Sequence, residues 1–313
     1  MPRKLLFPRD DDFDPKDPKS LLKWAKWLNG KTLKDSLSLL DKNNQKIALE
    51  AVENIAKAKI LTDGSYKGPK GKLGIIVEII HFGLSPDCEA IADLRDAGLE
   101  LKVTGLKKNQ SGVRAKERLS LGMIDYRKSV SESPDFESDH EIQKSLSGML
   151  LMTYWYNSRT TNPLDLVFHD SFIWKPVGEE RALIKKDWAL IQATIRSGFA
   201  HMLSERYSNA LGAPPKGAGK DTDFSKQPIE KPFTYKQAED VMTKLGVEQT
   251  QAKYVVKDYL ERTKLPGASR NGYTLPKDRT LISKLGQYPA RRRCYSLTNS
   301  YLSRLVKEKL RAE

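Results

Sequence analysis

Cysteine is nearly absent from this chain. Only Cys88 and Cys294 occur in 313 residues, far apart and without a C-x-x-C pair, which argues against a disulfide framework and a zinc knuckle. No apolar run approaches the length needed to span a bilayer, and the opening MPRKLLFPRDDDFD carries charges where a secretory leader needs an apolar region. The expectation is a cytoplasmic protein. No G-x-x-x-x-G-K-[ST] loop is present, so GPKGKLG is no Walker A cradle, and no Ser-His-Asp or Cys-His arrangement stands out. His140 reads as an exposed loop residue, and His169-Asp170 as a structural pair rather than a metal or acid–base pair.

What the chain has in excess is positive charge. Lys and Arg number 54 against 40 Asp and Glu, a net charge of +14, which favours a polyanionic partner through steering and counterion release. Hydrophobic content of 39% is enough for a folded core, arranged as one large domain or two.

Residues 1–18, rich in Pro and Asp, read as an exposed arm. Apolar spacing then predicts helices from about Ser20 to Leu28, Thr32 to Leu40 and Asn44 to Ile60. LGIIVEII is helical in pattern, and its Glu78 needs water, a metal or a cation, because burying a carboxylate unpaired is costly.

The most informative stretch is GLELKVTGL. Strand alternation puts Leu99, Leu101 and Val103 on one face and Glu100 and Lys102 on the other. Asp93 precedes Glu100 across a turn ending in Gly98, so its carboxylate can fold back beside Glu100. Asp93, Glu100 and the Leu101 carbonyl form a hard oxygen set suited to Mg²⁺, Lys102 can hold and polarise an attacking water, and Glu78 can hold a further water or a second metal. The pattern D-x₆-E-x-K is short, and spacing alone leaves open both a metal-dependent phosphodiesterase centre and a salt-bridged strand. Glu100-Leu101-Lys102 is nevertheless the only E-x-K in the chain.

KGKLGIIVE, Asp93 and AGLELK together resemble the MutH-like branch of the PD-(D/E)xK nucleases, which includes a mismatch-repair nicking enzyme and type II restriction enzymes that cut GATC. RAKERLSLGMIDY, EIQKSLSGMLLMTYW, the segment from Ile184 to Ala218 and the closing RRRCYSLTNSYLSRLVKE extend the resemblance, with residues 221–288 unmatched. The resemblance implies an α/β restriction-endonuclease-like fold, a mixed sheet flanked by helices, with a helical N-terminal extension (1–62), a catalytic core (63–220), a helical insertion (221–288) and a C-terminal DNA-recognition segment (289–313). It implies catalytic roles for Glu78, Asp93, Glu100 and Lys102, with Lys144 near the scissile phosphate, and Mg²⁺ as cofactor. DNA contacts are implied for Lys70, for Lys216 in APPKGAG, and for Arg291, Arg292, Arg293, Tyr295, Ser296 and Tyr301 of the closing element. The position of the family's base-reading tyrosine is Ser296 here, and a neighbouring arginine is Pro214.

The implied partners are duplex DNA, a second copy of the chain on DNA, and a cognate DNA methyltransferase as functional counterpart. A partner-activated nicking enzyme and a catalytically silent DNA-binding module are the alternatives. Within the unmatched region, Thr234 can cap a helix with Ala238, Val241, Met242 and Leu245 on one face. A second helix places Ala252, Val255, Val256, Tyr259 and Leu260 on another, a pattern open to a helix-turn-helix or to a solvated insertion. PGASRNGYTLPKDR reads as turns around a short hairpin.

Overall fold

The computed structural model describes residues 3–9, 12–57, 59–60, 66–67, 72–87, 89, 91–110, 112–160, 162–216, 224–226, 235–262 and 289–311. The element order opens with helices α1 (Pro18–Trp27), α2 (Leu33–Ser38) and α3 (Lys42–Ala56), strands β1 (Lys59–Ile60) and β2 (Tyr66–Lys67), and helix α4 (Leu73–Ile80). Next come β3 (Glu100–Asn109), β4 (Gly112–Ala115), β5 (Leu119–Met123), α5 (Tyr126–Ser131), α6 (His140–Leu146), β6 (Met149–Trp155) and β7 (Phe168–Trp174). The chain continues through α7 (Gly178–Arg196), β8 (Leu211–Gly212), β9 (Phe224–Lys226), α8 (Tyr235–Lys244), α9 (Gln249–Arg262), β10 (Pro289–Arg291), β11 (Cys294–Leu297) and α10 (Asn299–Arg311).

Two compact units result. One comprises Met1–Leu119, Lys144–Pro176 and Asn299–Glu313; the other comprises Ser120–Gln143 and Val177–Thr298. These boundaries cut through the expected core at 63–220 and divide the C-terminal segment between the units.

In the first unit a four-stranded mixed sheet runs β4-β3-β6-β7. β3 pairs parallel with β6 from Glu100↔Met149 to Leu106↔Trp155, while β4 pairs antiparallel with β3 and β7 antiparallel with β6. Leu101 of β3 and Leu150 and Met152 of β6 share one hydrophobic core with Leu21, Ala25, Val52, Ile76 and Ile80 of the preceding helices. The N-terminal helices expected as an extension are therefore part of the body: their apolar stripes have nowhere else to be buried. Local signals set their starts. Asp17 caps α1 by accepting from Lys19 N and Ser20 N, and Thr32 and Asp35 form a capping box at α2.

His81, just after α4, ties this layer together. Its ring stacks on Trp24 at 4.5 Å, Nε2 donates to the Trp24 carbonyl at 3.1 Å, and Ser36 Oγ lies 3.0 Å from Nδ1. Burial holds its pKa down at about 3, so the ring is neutral and the carbonyl partner fixes the proton on Nε2.

In the second unit the buried face of α7 and the following turn, with Leu190, Ala193, Phe199 and Met202, packs against Ala238, Met242, Ala252, Val255, Val256 and Tyr259 of α8 and α9. This helical pair is a core layer of its unit rather than a solvated insertion. Gln249, Thr250 and Lys253 stay exposed at the start of α9. Asp187 is buried, and its Oδ2 accepts from the backbone N–H of Asn209, Ala210 and Leu211 at 2.9, 2.6 and 2.9 Å, which fixes the entry to β8. A three-stranded sheet runs β5-β11-β8. Gly122 of β5 accommodates a crossing chain: a Cβ there would sit 2.1 Å from the Glu141 carbonyl oxygen. The expected cap Thr234 and the hairpin at 266–279 lie outside the described residues, as does Cys88; Cys294 is a buried free thiol. Among the described residues no helix is long and apolar enough to cross a membrane.

Candidate active site

α4 is apolar at every position but Gly74 and Glu78, and it buries Ile76, Val77, Ile79 and Ile80. Its one carboxylate therefore emerges at the edge of the core, with 12% of the side chain exposed. Asp93 reaches the same place from the other side. Leu94 bridges Leu99 across a short 3₁₀ turn at Arg95–Ala97, and Gly98 closes it with φ 65°, a left-handed value glycine adopts without strain. The fold-back brings Asp93 Oδ2 within 3.1 Å of the Leu101 backbone N–H, which donates to it.

On β3, Lys102 Nζ donates to Glu100 Oε1 at 2.6 Å, and the Glu100 side chain is only 3% exposed. Lys144 of α6 places its Nζ 3.8 Å from the same oxygen. Glu78, Asp93, Glu100, Lys102 and Lys144 are thus brought together.

A sixth member was not expected. Arg3, in the segment read as an exposed arm, has a side chain only 5% exposed; Nη2 donates to Glu78 Oε2 at 2.6 Å, and Nη1 lies 3.4 Å from Asp93 Oδ1. No periodicity marks it. The available signal was charge balance: three clustered carboxylates faced only two lysines, and Glu78 already called for a partner.

Crowding of like charge shows in the acid strengths. Burial, reinforced by the Asp93 charge, pushes Glu78 up to about 7 against the pull of Arg3 and Lys102. Asp93 is also raised, first by burial and then by Glu100, with Lys102 and Arg3 opposing. Glu100 Oε2 is buried and makes no hydrogen bond.

These features fit a hard divalent cation. The oxygen donors are of the right kind, and an unpartnered buried carboxylate oxygen is what a metal would satisfy. Among the described residues no group of three or more His, Cys, Asp or Glu side chains is placed to hold a metal ion by itself.

The positions expected to contact DNA divide into two sets. Lys216, Arg291 and Arg292 are exposed; Lys216 Nζ donates to Ser120 Oγ at 3.0 Å and its backbone N–H to Arg292 O at 3.0 Å. Arg293, Tyr295, Ser296 and Tyr301 are buried. Arg293 Nη1 donates to the Ala213 carbonyl at 2.8 Å. Tyr295 OH donates to Asp139 Oδ2 at 3.0 Å and accepts from Gln192 Nε2 at 2.6 Å, while Trp188 Nε1 donates to the same Asp139 oxygen at 2.7 Å. Ser296 sits opposite Gly212 in a strand buried on both faces, and Tyr301 meets Trp174 edge-on at 6.4 Å. Lys70 lies outside the described residues. His140 is exposed, and half-buried His169 packs on Trp155 at 4.3 Å, whereas Asp170 accepts from Asn29 Nδ2 and Ser171 N.

Residues 82–187 match the family model described as DNA mismatch repair enzyme MutH. Over 181 residues the chain is 32% identical to the type II restriction enzyme Sau3AI of Staphylococcus aureus, covering 56% of this chain and 36% of that protein. The chain thus spans about a third of the length of that relative. It is similar in sequence to MutH-like nucleases and to a type II restriction enzyme, with Asp93, Glu100, Lys102 and Lys144 inside the matched family region and Glu78 just before it.

Proposed function

We propose that the chain is a magnesium-dependent, sequence-specific DNA endonuclease of the type II restriction kind, cutting duplex DNA at GATC and leaving 5′-phosphate and 3′-hydroxyl ends. The observation that carries this reading is the Glu100–Lys102 pair on β3 beside Asp93, with one Glu100 oxygen buried and unpartnered. The similarity to Sau3AI supports the restriction reading.

Asp93, Glu100 and the Leu101 carbonyl would hold the ion. A bound magnesium supplies Lewis-acid stabilisation of the charge that builds on the phosphate oxygens and the leaving oxygen. Lys102 donates to the attacking water and orients it, and Glu78 accepts a hydrogen bond from that water. Lys144, whose Nζ reaches the same Glu100 oxygen, faces the phosphate. The water oxygen bonds to phosphorus as it gives up a proton to solvent, the bond from phosphorus to the 3′ oxygen breaks, and that oxygen leaves as the hydroxyl after taking a proton from solvent. Exposed Lys216, Arg291 and Arg292 supply phosphate contacts.

One set of carboxylates cuts one strand at a time. Double-strand cleavage therefore calls for a second copy on the DNA or a second event, and a matching methyltransferase in the cytoplasm would protect host sites. The MutH description of the matched family favours a second reading, a nicking enzyme activated by a partner.

The test is digestion, with Mg²⁺, of a plasmid containing GATC and of one from which those sites have been removed, followed by end sequencing. Linear products ending at GATC support the proposal. Nicked circles alone favour the second reading, and binding without cleavage leaves a silent DNA-binding module.

A further inference from the structure

Arg3 fits no role assigned so far. The backbone that follows it is pinned: Leu6 N donates to Gly83 O at 2.7 Å, Ser85 N donates to Lys4 O at 3.1 Å, and Leu5 bridges Leu84. Its head is pinned as well. Nε donates to Ser85 O at 3.0 Å, Nη1 donates to Asp93 O at 3.1 Å and reaches Asp93 Oδ1 at 3.4 Å, and Nη2 donates to Glu78 Oε2 at 2.6 Å. A planar guanidinium held at all three nitrogens is a fixed charge, not a mobile surface group.

Two-metal phosphodiesterases place their ions about 3.5–4 Å apart, clamped between carboxylates that each ion must reach directly. Here the carboxylate oxygens divide into two sets. Glu78 Oε2 and Asp93 Oδ1 face Arg3, and Asp93 Oδ2 takes the Leu101 N–H. Glu100 Oε2 is buried and has no hydrogen-bond partner. The space between Glu78 and Asp93 therefore already holds a cation, and the remaining vacancy in the donor set is at Glu100.

We infer that Arg3 stands where a second metal ion would otherwise sit, so that the centre takes one divalent cation, at Asp93 and Glu100, with Arg3 as a built-in second charge holding Glu78 and Asp93. Arg3 is in these terms a positioning residue. The charge count agrees: Glu78, Asp93 and Glu100 against Arg3, Lys102 and Lys144 make a balanced site, to which one dication adds the positive charge that a phosphodiester transition state draws on. The inference rests on the metal-dependent nuclease reading above and narrows it, replacing the expectation that Glu78 can hold a second metal.

Counting bound Mn²⁺ tests it without relying on cleavage. Calorimetry and electron paramagnetic resonance are run on the full chain and on its Arg3→Gln and Arg3→Lys variants. The expected result is one Mn²⁺ for the wild type and for Arg3→Lys, which keeps the charge, and two spin-coupled Mn²⁺ for Arg3→Gln. Two Mn²⁺ in the wild type overturn the inference while leaving the nuclease reading intact, and so does a single Mn²⁺ in folded Arg3→Gln. No Mn²⁺ in the wild type removes the metal-site reading and this inference with it. Should Arg3→Gln fail to fold, the wild-type and Arg3→Lys counts decide: one in each sustains the inference, two in either overturns it.

Discussion

Replacing Lys102 by Met removes one charge and keeps most of the side-chain volume, and its effects separate structural from chemical roles. Lys102 Nζ sits 2.6 Å from Glu100 Oε1, with side-chain exposures of 21% and 3%. Breaking a buried ion pair by deleting one partner typically costs about 3–5 kcal/mol. Lys144, 3.8 Å from the same oxygen, can close in, and Lys102 is itself partly solvated. The expected loss is therefore smaller, roughly 1–3 kcal/mol. Removing Lys144 as well leaves Glu100 without a cation, so the double variant should lose more than the sum of the singles, by about 1 kcal/mol.

Cleavage should fall about 10²–10³-fold in the single Lys102 variant, the usual cost of one preorganised donor at a site of developing charge. Mn²⁺ affinity, by contrast, should hold or rise, because a repelling cation has gone. Denaturant unfolding, a single-turnover cleavage assay and Mn²⁺ titration measure the three quantities. Strictly additive stability losses would refute the shared-oxygen geometry. Cleavage within about 3-fold of wild type would refute the role given to Lys102.

Three further outcomes follow from the geometry. Glu78 is pushed from 4.5 to about 7, so the folded protein keeps a proton that the unfolded chain has released. The metal-free protein should be stabilised most below pH 4.5 and lose that contribution as pH rises to about 7; Glu78→Gln should flatten this slope in a melting-temperature series, and wild-type Mn²⁺ affinity should climb over the same range. Gly122→Ala drives a methyl to 2.1 Å from a backbone oxygen and should destabilise the second unit by at least about 2 kcal/mol, read by proteolysis of that unit. Asp187→Asn keeps the shape but cannot accept three N–H bonds as an anion would, and should cost about 2–4 kcal/mol in the same assay, against little change for an exposed control such as Asp240→Asn.

The parts of the site made by neighbouring residues were legible in the sequence. Alternation put Glu100 and Lys102 together because a strand has a fixed period of two, and Gly98 marked the turn that returns Asp93. Helical spacing likewise foretold the two faces of α8 and α9.

Other features depended on distant chain. Arg3 meets Glu78 and Asp93 from 75 and 90 residues away, and nothing in MPRKLLFPRD announces that encounter. His81 sits in an apolar run, and its stacking on Trp24 depends on how α1 packs. CYSL shows no alternation because both faces of β11 are buried, and nothing in it announces that Tyr295 is held by Asp139, 156 residues earlier in the chain. The division into two units was hidden for a related reason, since the first joins residues 1–119 and 144–176 to 299–313 and the second joins 120–143 to 177–298.

Hydrolysis of DNA by Asp93, Glu100 and Lys102 with the help of a divalent cation, as proposed, is tested most directly with a defined GATC duplex incubated with wild type and with Glu100→Gln, each in Mg²⁺ and in chelator, with binding followed in parallel. The expected result is 5′-phosphorylated cleavage products only for the wild type in Mg²⁺, and comparable duplex binding by both proteins. Cleavage that persists in chelator, or that Glu100→Gln retains at the wild-type rate, would contradict it.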